Sequence, residues 1–150
     1  MAINCLEDQL RRDESERQFA YDDATGRTLG KGDRLQANLT IGVGRNLSAK
    51  GLSQKERAYL LANDIADATA DLAAHLPWAL ELDDARKGAM LNLVFNMGIR
   101  GVMGFPKFLA AMQAGDWATA KAELLDSEAA RQEPDRIDRL ALQIETGFWQ

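Results

Sequence analysis

The stretch Leu39-Thr40-Ile41-Gly42-Val43-Gly44, followed nine residues later by Ser53-Gln54-Lys55-Glu56, decides the fold, because the chain changes character between the two segments. Apolar residues alternate with others in the first segment, which is the period of a half-buried strand. The second segment has the Ser-x-x-Glu pattern of a capping box, which predicts the start of a long helix. That helix carries apolar residues on one side: Leu60, Leu61, Ile65 and Leu72. We therefore expect short β segments before about residue 50 and nearly all helix after it.

The beginning of the chain predicts a helix that ends at an acidic residue. Ile3, Leu6 and Leu10 form a thin apolar stripe at helical spacing, so the helix is expected to run from about Asn4 to Glu14. Glu14 then lies at the helix C-terminus, where the helix dipole disfavours a carboxylate. Unfavourable placements of this kind are expected at functional sites.

A hairpin is predicted between this helix and the Leu39 segment. Phe19 and Tyr21 alternate with smaller residues as in a short strand, and the sequence Asp-Ala-Thr-Gly at 23–26 is typical of a turn. Residues 27–38 contain three basic side chains and two glycines. We expect them to form an elongated hairpin tip.

The chain after the capping box predicts a succession of helices. Pro77 ends the long helix, and Asp83 or Asp84 is placed to cap the next one. Residues 90–97 are apolar nearly all round, which is typical of a buried central helix. The glycines that follow are expected to end it and turn the chain: Gly98, Gly101 and Gly104. Three more helices are expected over about residues 106–113, 116–125 and 134–145.

These elements predict an α+β fold in one domain that covers residues 1–150. A small β-hairpin lobe, over about residues 15–52, is joined by the long helix to a mostly helical lobe. The helical lobe comprises about residues 53–150 together with the N-terminal helix. A chain of this length buries about 70% of the surface that it exposes when unfolded, so it folds without disulfides or metal.

The composition limits the chemistry to carboxylates. The single cysteine, Cys5, excludes an intramolecular disulfide and a cysteine zinc site, and the single histidine, His75, excludes a multi-histidine metal site. Metal sites built on cysteine or on several histidines are therefore not expected. The net charge of −5 and the pI near 4.9 argue against nucleic acid as the main partner, since phosphate binding needs a concentrated basic face.

Nothing in the sequence predicts export or membrane insertion. No run of about 18 apolar residues occurs, and the N-terminal segment lacks the apolar core of a signal peptide. We expect a chain that is made in the cytoplasm without an export signal or membrane segment of its own.

Glu14 and Asp23 are the first candidates for catalysis. They are nine residues apart, one at a predicted helix end and the other at a predicted hairpin turn. Such elements can bring two carboxylates to opposite sides of a cleft. Glycosidic hydrolysis requires that arrangement, with a protonated acid for the leaving oxygen and an ionised partner for water or the sugar cation.

Motifs along nearly the whole chain make this interpretation specific. The segments that carry the pattern are Asp13-Glu14, Tyr21-Asp22-Asp23-Ala24-Thr25-Gly26, Thr40-Ile41-Gly42-Val43-Gly44-Arg45-Asn46-Leu47, Leu91-Asn92-Leu93-Val94-Phe95-Asn96-Met97-Gly98, Gly104-Phe105, Ala114-Gly115-Asp116-Trp117, Arg136 with Arg139, and Thr146-Gly147-Phe148-Trp149. In this order they resemble the phage-type lysozymes, the muramidases of glycoside hydrolase family 24. The resemblance implies a lysozyme-like fold.

The resemblance also implies a role for each of three residues. Glu14 matches the general acid, Asp23 the second carboxylate, and Thr40 the hydroxyl that helps to hold the attacking water. Asp23 is preferred to its neighbour Asp22 because its distance from Tyr21 and from the turn glycine fits the motif. The family's reaction looks inverting, so the carboxylates are expected to lie in the longer range of about 6.5–9.5 Å.

Three further residues match supporting positions. Arg45 stands where the best-known members often have histidine, and it is expected to line the cleft. Asn96 is a candidate for hydrogen bonding to the peptide stem or the glycan, or else an amide that serves only its own helix. Arg136 matches a position that in the family pairs with the catalytic glutamate across the cleft, which here is Glu14, or else it is an arginine of the solvated surface.

The function that the resemblance implies is that of an endolysin. It hydrolyses the β-1,4 bond between N-acetylmuramic acid and N-acetylglucosamine in peptidoglycan glycan strands during host cell lysis. The resemblance also implies a monomer that needs no metal or cofactor. A holin partner is expected to release this monomer, which stays in the host cytoplasm until lysis and then acts in the periplasm. The alternatives are a lytic transglycosylase that cuts the same bond and a non-catalytic peptidoglycan-binding or virion protein with the same fold.

Besides Arg45, the chain departs from the family pattern at three further places. Ser15 stands where the family commonly has glycine after the catalytic glutamate. The basic insertion at residues 27–38 lengthens the interval between Asp23 and Thr40, and its role stays open. An aromatic residue that often precedes the last helix is replaced by Ala129 or Ala130, which predicts looser packing there.

Overall fold

A computed structural model describes residues 5–150, which form two compact units. The first unit extends to Tyr59 and the second runs from Leu60 to Gln150. The strands are β1 (Glu16–Asp22), β2 (Leu39–Val43) and β3 (Arg45–Asn46). The α-helices are α1 (Leu6–Glu14), α2 (Leu47–Lys50), α3 (Gln54–His75), α4 (Asp84–Met103), α5 (Pro106–Ala114), α6 (Trp117–Leu125), α7 (Glu128–Gln132) and α8 (Pro134–Thr146). The predicted α+β class is confirmed, and the division at residue 52 stays a prediction.

The first unit is built on an antiparallel sheet in the order β1-β2-β3. Strand β1 pairs with β2 so that Tyr21 lies opposite Thr40 and Asp22 opposite Leu39. Tyr21, Asp22 and Thr40 are the buried side chains among the described residues of this unit. The sheet therefore buries most deeply the region beside Asp23.

Helix α1 ends where the sequence predicts. Its last residue is Glu14, and Ser15 follows with φ 61° and ψ 117°, a backbone conformation that cannot continue a helix. The predicted start at Asn4 and the stripe residue Ile3 lie outside the described residues.

The predicted capping box opens helix α3. The backbone N–H of Glu56 donates to Ser53 Oγ at 3.3 Å, and Ser53 N–H donates to Glu56 Oε2 at 2.7 Å. The helix ends at His75, just before Pro77, which begins a 3₁₀ helix over Pro77–Glu81. Both boundaries follow from local chemistry, the first from reciprocal capping and the second from proline.

The apolar side of α3 is buried only in its C-terminal part. Leu72 is fully buried together with Ala68, whereas Leu61 and Ile65 are half exposed and line a groove. The apolar spacing correctly places these side chains on one face of the helix. It does not specify which part of that face the core covers.

The core of the second unit surrounds α4. Met90 and Leu93 are fully buried, as expected for a central helix, but Phe95 is 48% exposed and therefore departs from the all-round burial that the sequence predicts. Gly98 interrupts α4 with φ 73° and ψ 162°, and the helix then continues to Met103 before ending at Gly104. Gly98 therefore ends the first helical segment of α4, as predicted, and a second segment follows it up to Met103.

The remaining helices complete this core. Helices α5, α6 and α8 match their predicted positions, and Asp116 caps α6 by accepting a hydrogen bond from Thr119 N–H at 3.1 Å. The sequence prediction missed α7, which Ser127 caps by accepting from Ala130 N–H at 3.2 Å. Within residues 5–150, none of the helices combines the length and apolar character needed to cross a bilayer.

Candidate active site

Glu14 stands at the C-terminal end of α1 and packs against the end of β2. A Cβ built on Gly44 would lie 2.6 Å from Glu14 Oε2, so the carboxylate rests directly on the glycine backbone. Within the described part of the first unit, Glu14 has no hydrogen-bond or ion-pair partner. The side chain is exposed, and its carboxylate keeps its bonding capacity for other groups.

Asp22 and Asp23 are adjacent but have different environments. Asp22 is 2% exposed, and its carboxylate accepts hydrogen bonds from the backbone N–H groups of Ala24, at 3.0 Å, and Gln36. Both oxygens of this buried carboxylate are therefore engaged by the turn and the loop. This satisfies the general requirement that a buried charged group be hydrogen-bonded, and it gives Asp22 a structural role.

Asp23 is exposed and is held in its ionised form. Asn38 donates to it twice, from its backbone N–H at 2.9 Å and from Nδ2 at 3.0 Å. These hydrogen bonds to the carboxylate, the backbone one first, lower the pKa of Asp23 below its ordinary value. An ionised carboxylate that reaches solvent can orient a water or face a developing sugar cation.

Thr40 is the buried hydroxyl of this region. It is 4% exposed, and among the described residues its Oγ1 has no hydrogen-bond partner. Most buried polar groups in proteins are paired, and leaving one unpaired costs about 1–3 kcal/mol. The hydroxyl therefore keeps hydrogen-bonding capacity that no described protein group uses.

Residues 38–44 contact or contain all three candidates. Asn38 binds Asp23, Thr40 lies within β2, and Gly44 contacts Glu14. One short stretch of chain thus contacts the carboxylates of Glu14 and Asp23 and also carries the unpaired hydroxyl of Thr40. The role of Asn38 could not be predicted from the sequence, because its side-chain hydrogen bond to Asp23 joins residues 15 positions apart and belongs to no local motif.

Arg45 is bound within the first unit. Its Nη2 lies 2.7 Å from Glu56 Oε2 and donates to the carbonyl of Gly51 at 2.9 Å. The pKa of Glu56 is lowered chiefly by the hydrogen bonds from Ser53 and further by the charge of Arg45. The guanidinium thus supports the start of α3, and a contact between Arg45 and substrate stays a prediction.

Asn96 and Arg136 both bind Glu133 in the second unit. Asn96 Nδ2 donates to Glu133 Oε1 at 3.0 Å, and Arg136 Nη1 donates to Oε2 at 3.0 Å. Sequence reasoning missed Glu133, although its position just before Pro134 and three residues before Arg136 offered a signal for an ion pair. The predicted pair between Arg136 and Glu14 stays a prediction.

A cavity of about 200 Å³ lies beside this network. Phe105, Ala129 and Ile137 contribute apolar walls, and Asn96 and Glu133 contribute polar ones. Ala129, one of the two alanines at which the resemblance predicts looser packing, lines this cavity. The structure thus has open space where the sequence predicted looser packing.

Comparison with known proteins identifies the family. The model of the family described as phage lysozyme matches residues 11–137, which include Glu14, Asp23 and Thr40. This chain belongs to the phage lysozyme family. The lysozyme-like fold predicted from the motifs is thereby confirmed.

Several relatives of this phage lysozyme family member are similar over most of the chain. Two proteins of Dictyostelium discoideum, named Probable T4-type lysozyme 1 and 2, are 29% and 31% identical over 97% of this chain and 96% of their own length. The Pre-baseplate central spike protein Gp5 of Enterobacteria phage T4 is 32% identical over 95% of this chain, which spans only 28% of that protein. The chain therefore corresponds to nearly the whole of the first two relatives and to about a quarter of the third.

Proposed function

We propose that this chain is a muramidase of the endolysin type, which hydrolyses the β-1,4 bond between N-acetylmuramic acid and N-acetylglucosamine in peptidoglycan. The observation that carries the proposal is the grouping of Glu14, Asp23 and Thr40 around residues 38–44. A similar protein of Enterobacteria phage SP6, 30% identical over 71% of this chain and 12% of its own length, is named Peptidoglycan hydrolase gp36. Its name supports the choice of substrate.

Each of the three residues has a role in an inverting reaction. Glu14 donates a proton to the leaving glycosidic oxygen as the bond to the anomeric carbon breaks. Asp23, held ionised by Asn38, accepts a proton from a water that attacks the opposite face of that carbon. The buried hydroxyl of Thr40 holds this water, which supplies the new hydroxyl of the product.

Three further features belong to the proposal. The enzyme acts as a monomer without metal or cofactor. It stays in the host cytoplasm until a holin opens the membrane, and then it acts on the wall from the periplasm. Asn96 and Arg136, which both bind Glu133, support substrate binding, and the amide of Asn96 is suited to hydrogen bonding with the glycan or peptide stem.

Mass spectrometry of fragments from purified Gram-negative peptidoglycan tests the proposal. Wild-type protein should release muropeptides that end in reducing muramic acid, and Glu14→Gln should release none. Anhydro-muramyl products would instead indicate a lytic transglycosylase. Wild-type activity in the Glu14→Gln variant would refute the assignment of the acid.

The two adjacent aspartates provide a matched pair for the same assay. Asp23→Asn should abolish release and leave the fold intact, because Asp23 is exposed. Asp22→Asn should lower the melting temperature, because it removes a buried carboxylate that accepts two backbone N–H groups. If Asp22→Asn abolished release and Asp23→Asn did not, the catalytic assignment would pass to Asp22.

A second candidate function is a non-catalytic wall-binding or virion protein with the lysozyme fold. The similarity to the central spike protein of phage T4 supports it. The two candidates differ in one result, because a binding protein would be retained on intact sacculi and would release no fragments. Retention of Glu14, Asp23 and Thr40 favours the enzyme.

A further inference from the structure

The contact between Glu14 and Gly44 leaves no room for a side chain at residue 44 unless Glu14 moves. A Cβ there would lie 2.6 Å from Oε2, 3.1 Å from Cδ and 3.3 Å from Cβ of Glu14. Carbon atoms do not approach side-chain atoms at the first of these distances without displacing them. The side chain of Glu14 thus fills the volume that a side chain at residue 44 would occupy.

Backbone geometry, and not hydrogen bonding, holds Glu14 in the described part of the first unit. Its carboxylate has no hydrogen-bond or ion-pair partner there, whereas that of Asp23 has two hydrogen bonds from Asn38. The orientation of Glu14 therefore depends on the surface against which it packs. That surface includes the backbone of Gly44, at φ 61°.

We propose that Gly44 is a positioning residue for Glu14. Because Gly44 has no side chain, the carboxyl group of Glu14 can occupy the position from which it donates its proton. This inference rests on the proposed function. A methyl group at residue 44 would push the carboxyl away from its seat. Displacing a catalytic group by about 1 Å can lower a rate by about 100-fold.

Gly42 offers a matched control for the backbone effect. Its φ of 65° is nearly that of Gly44, but a Cβ built on it has no neighbouring atom within 4 Å. Gly42→Ala and Gly44→Ala therefore impose nearly the same positive φ on an alanine. Only the second substitution also meets Glu14.

The first experiment compares the kinetics of the two variants on soluble glycan strands, below the melting temperature of both. Gly44→Ala should lower kcat by about 100-fold with KM within about twofold, and it should shift the basic limb of the pH–kcat profile, which reports the acid in the complex. Gly42→Ala should keep kcat within about threefold and leave the profile in place. Equal kcat values and profiles for the two variants would overturn the inference.

The second experiment measures the contact without using activity. In urea denaturation, Gly44→Ala should lower the unfolding midpoint more than Gly42→Ala does. In a Glu14→Ala background, which removes Cδ and Oε2, this difference should shrink. An unchanged difference would refute the contact. A shrinking difference, together with a wild-type protein that releases no peptidoglycan fragments, would support the contact and overturn the proposed function.

Discussion

Replacing Ser15 by glycine is expected to stabilise the protein. Ser15 has φ 61° and ψ 117°, and it is the one non-glycine residue with positive φ among the described residues. A side chain held in such a sparsely populated region costs about 1–3 kcal/mol. Glycine removes this strain but adds about 0.5–1 kcal/mol of backbone entropy loss on folding. The free energy of unfolding should therefore rise by about 1 kcal/mol, or about 2–4 °C in melting temperature for a chain of this size.

The assay is thermal unfolding followed by circular dichroism for wild type, Ser15→Gly and Ser15→Ala. Alanine removes the hydroxyl and keeps the Cβ, so Ser15→Ala should retain the strain and leave the melting temperature unchanged or slightly lower. A gain in both variants would assign the effect to the hydroxyl. A loss of melting temperature in Ser15→Gly would refute the argument that the backbone is strained at this residue.

Three further predictions concern stability. Leu72→Ala should cost about 2–5 kcal/mol in urea denaturation because Leu72 is fully buried, whereas Ile65→Ala on the same helix should cost less than about 1 kcal/mol because Ile65 is 46% exposed. Glu56→Gln should lower the melting temperature most above about pH 5 and converge with wild type as the pH falls, because the lowered pKa of Glu56 gives stability that is lost on protonation. Ala129→Leu should raise the melting temperature by about 1–4 °C by filling part of the neighbouring cavity, and a fall would show that the cavity cannot take the added carbons.

Sequence reasoning succeeded where the structural cause is local. The capping box of Ser53 and Glu56 and the helix end before Pro77 follow from residues within three or four positions of each other. The same is true of the end of α1 at Glu14. Short-range backbone rules therefore determined most helix boundaries.

The prediction failed where distant parts of the chain decide the outcome. The apolar stripe of α3 defines a face, but whether Ile65 is covered depends on helices that follow much later in the sequence. Glu133 receives a bond from Asn96, 37 residues away, and no spacing rule indicates such a partner. Helix α7 has only five residues, too few to show an apolar period.

The candidate site divides in the same way. The carboxylates Glu14 and Asp23 carry a motif that the resemblance could locate. The groups that orient them do not, because Asn38 acts through a hydrogen bond and Gly44 through the lack of a side chain. The roles of such residues depend on contacts that become visible only in the three-dimensional structure.

The two adjacent aspartates also make the hairpin tip a candidate for protein engineering. Asp22 holds the backbone of Gln36, Asp23 holds that of Asn38, and Tyr21 bridges to Thr28, so the base of the loop is fastened on both sides. Lengthening a surface loop whose ends are already fixed adds little closure entropy, about 0.6 kcal/mol for each doubling in length. The segment between Thr28 and Gln36, near Gly32, can therefore accept an inserted peptide tag or binding epitope while strand β2 keeps its register.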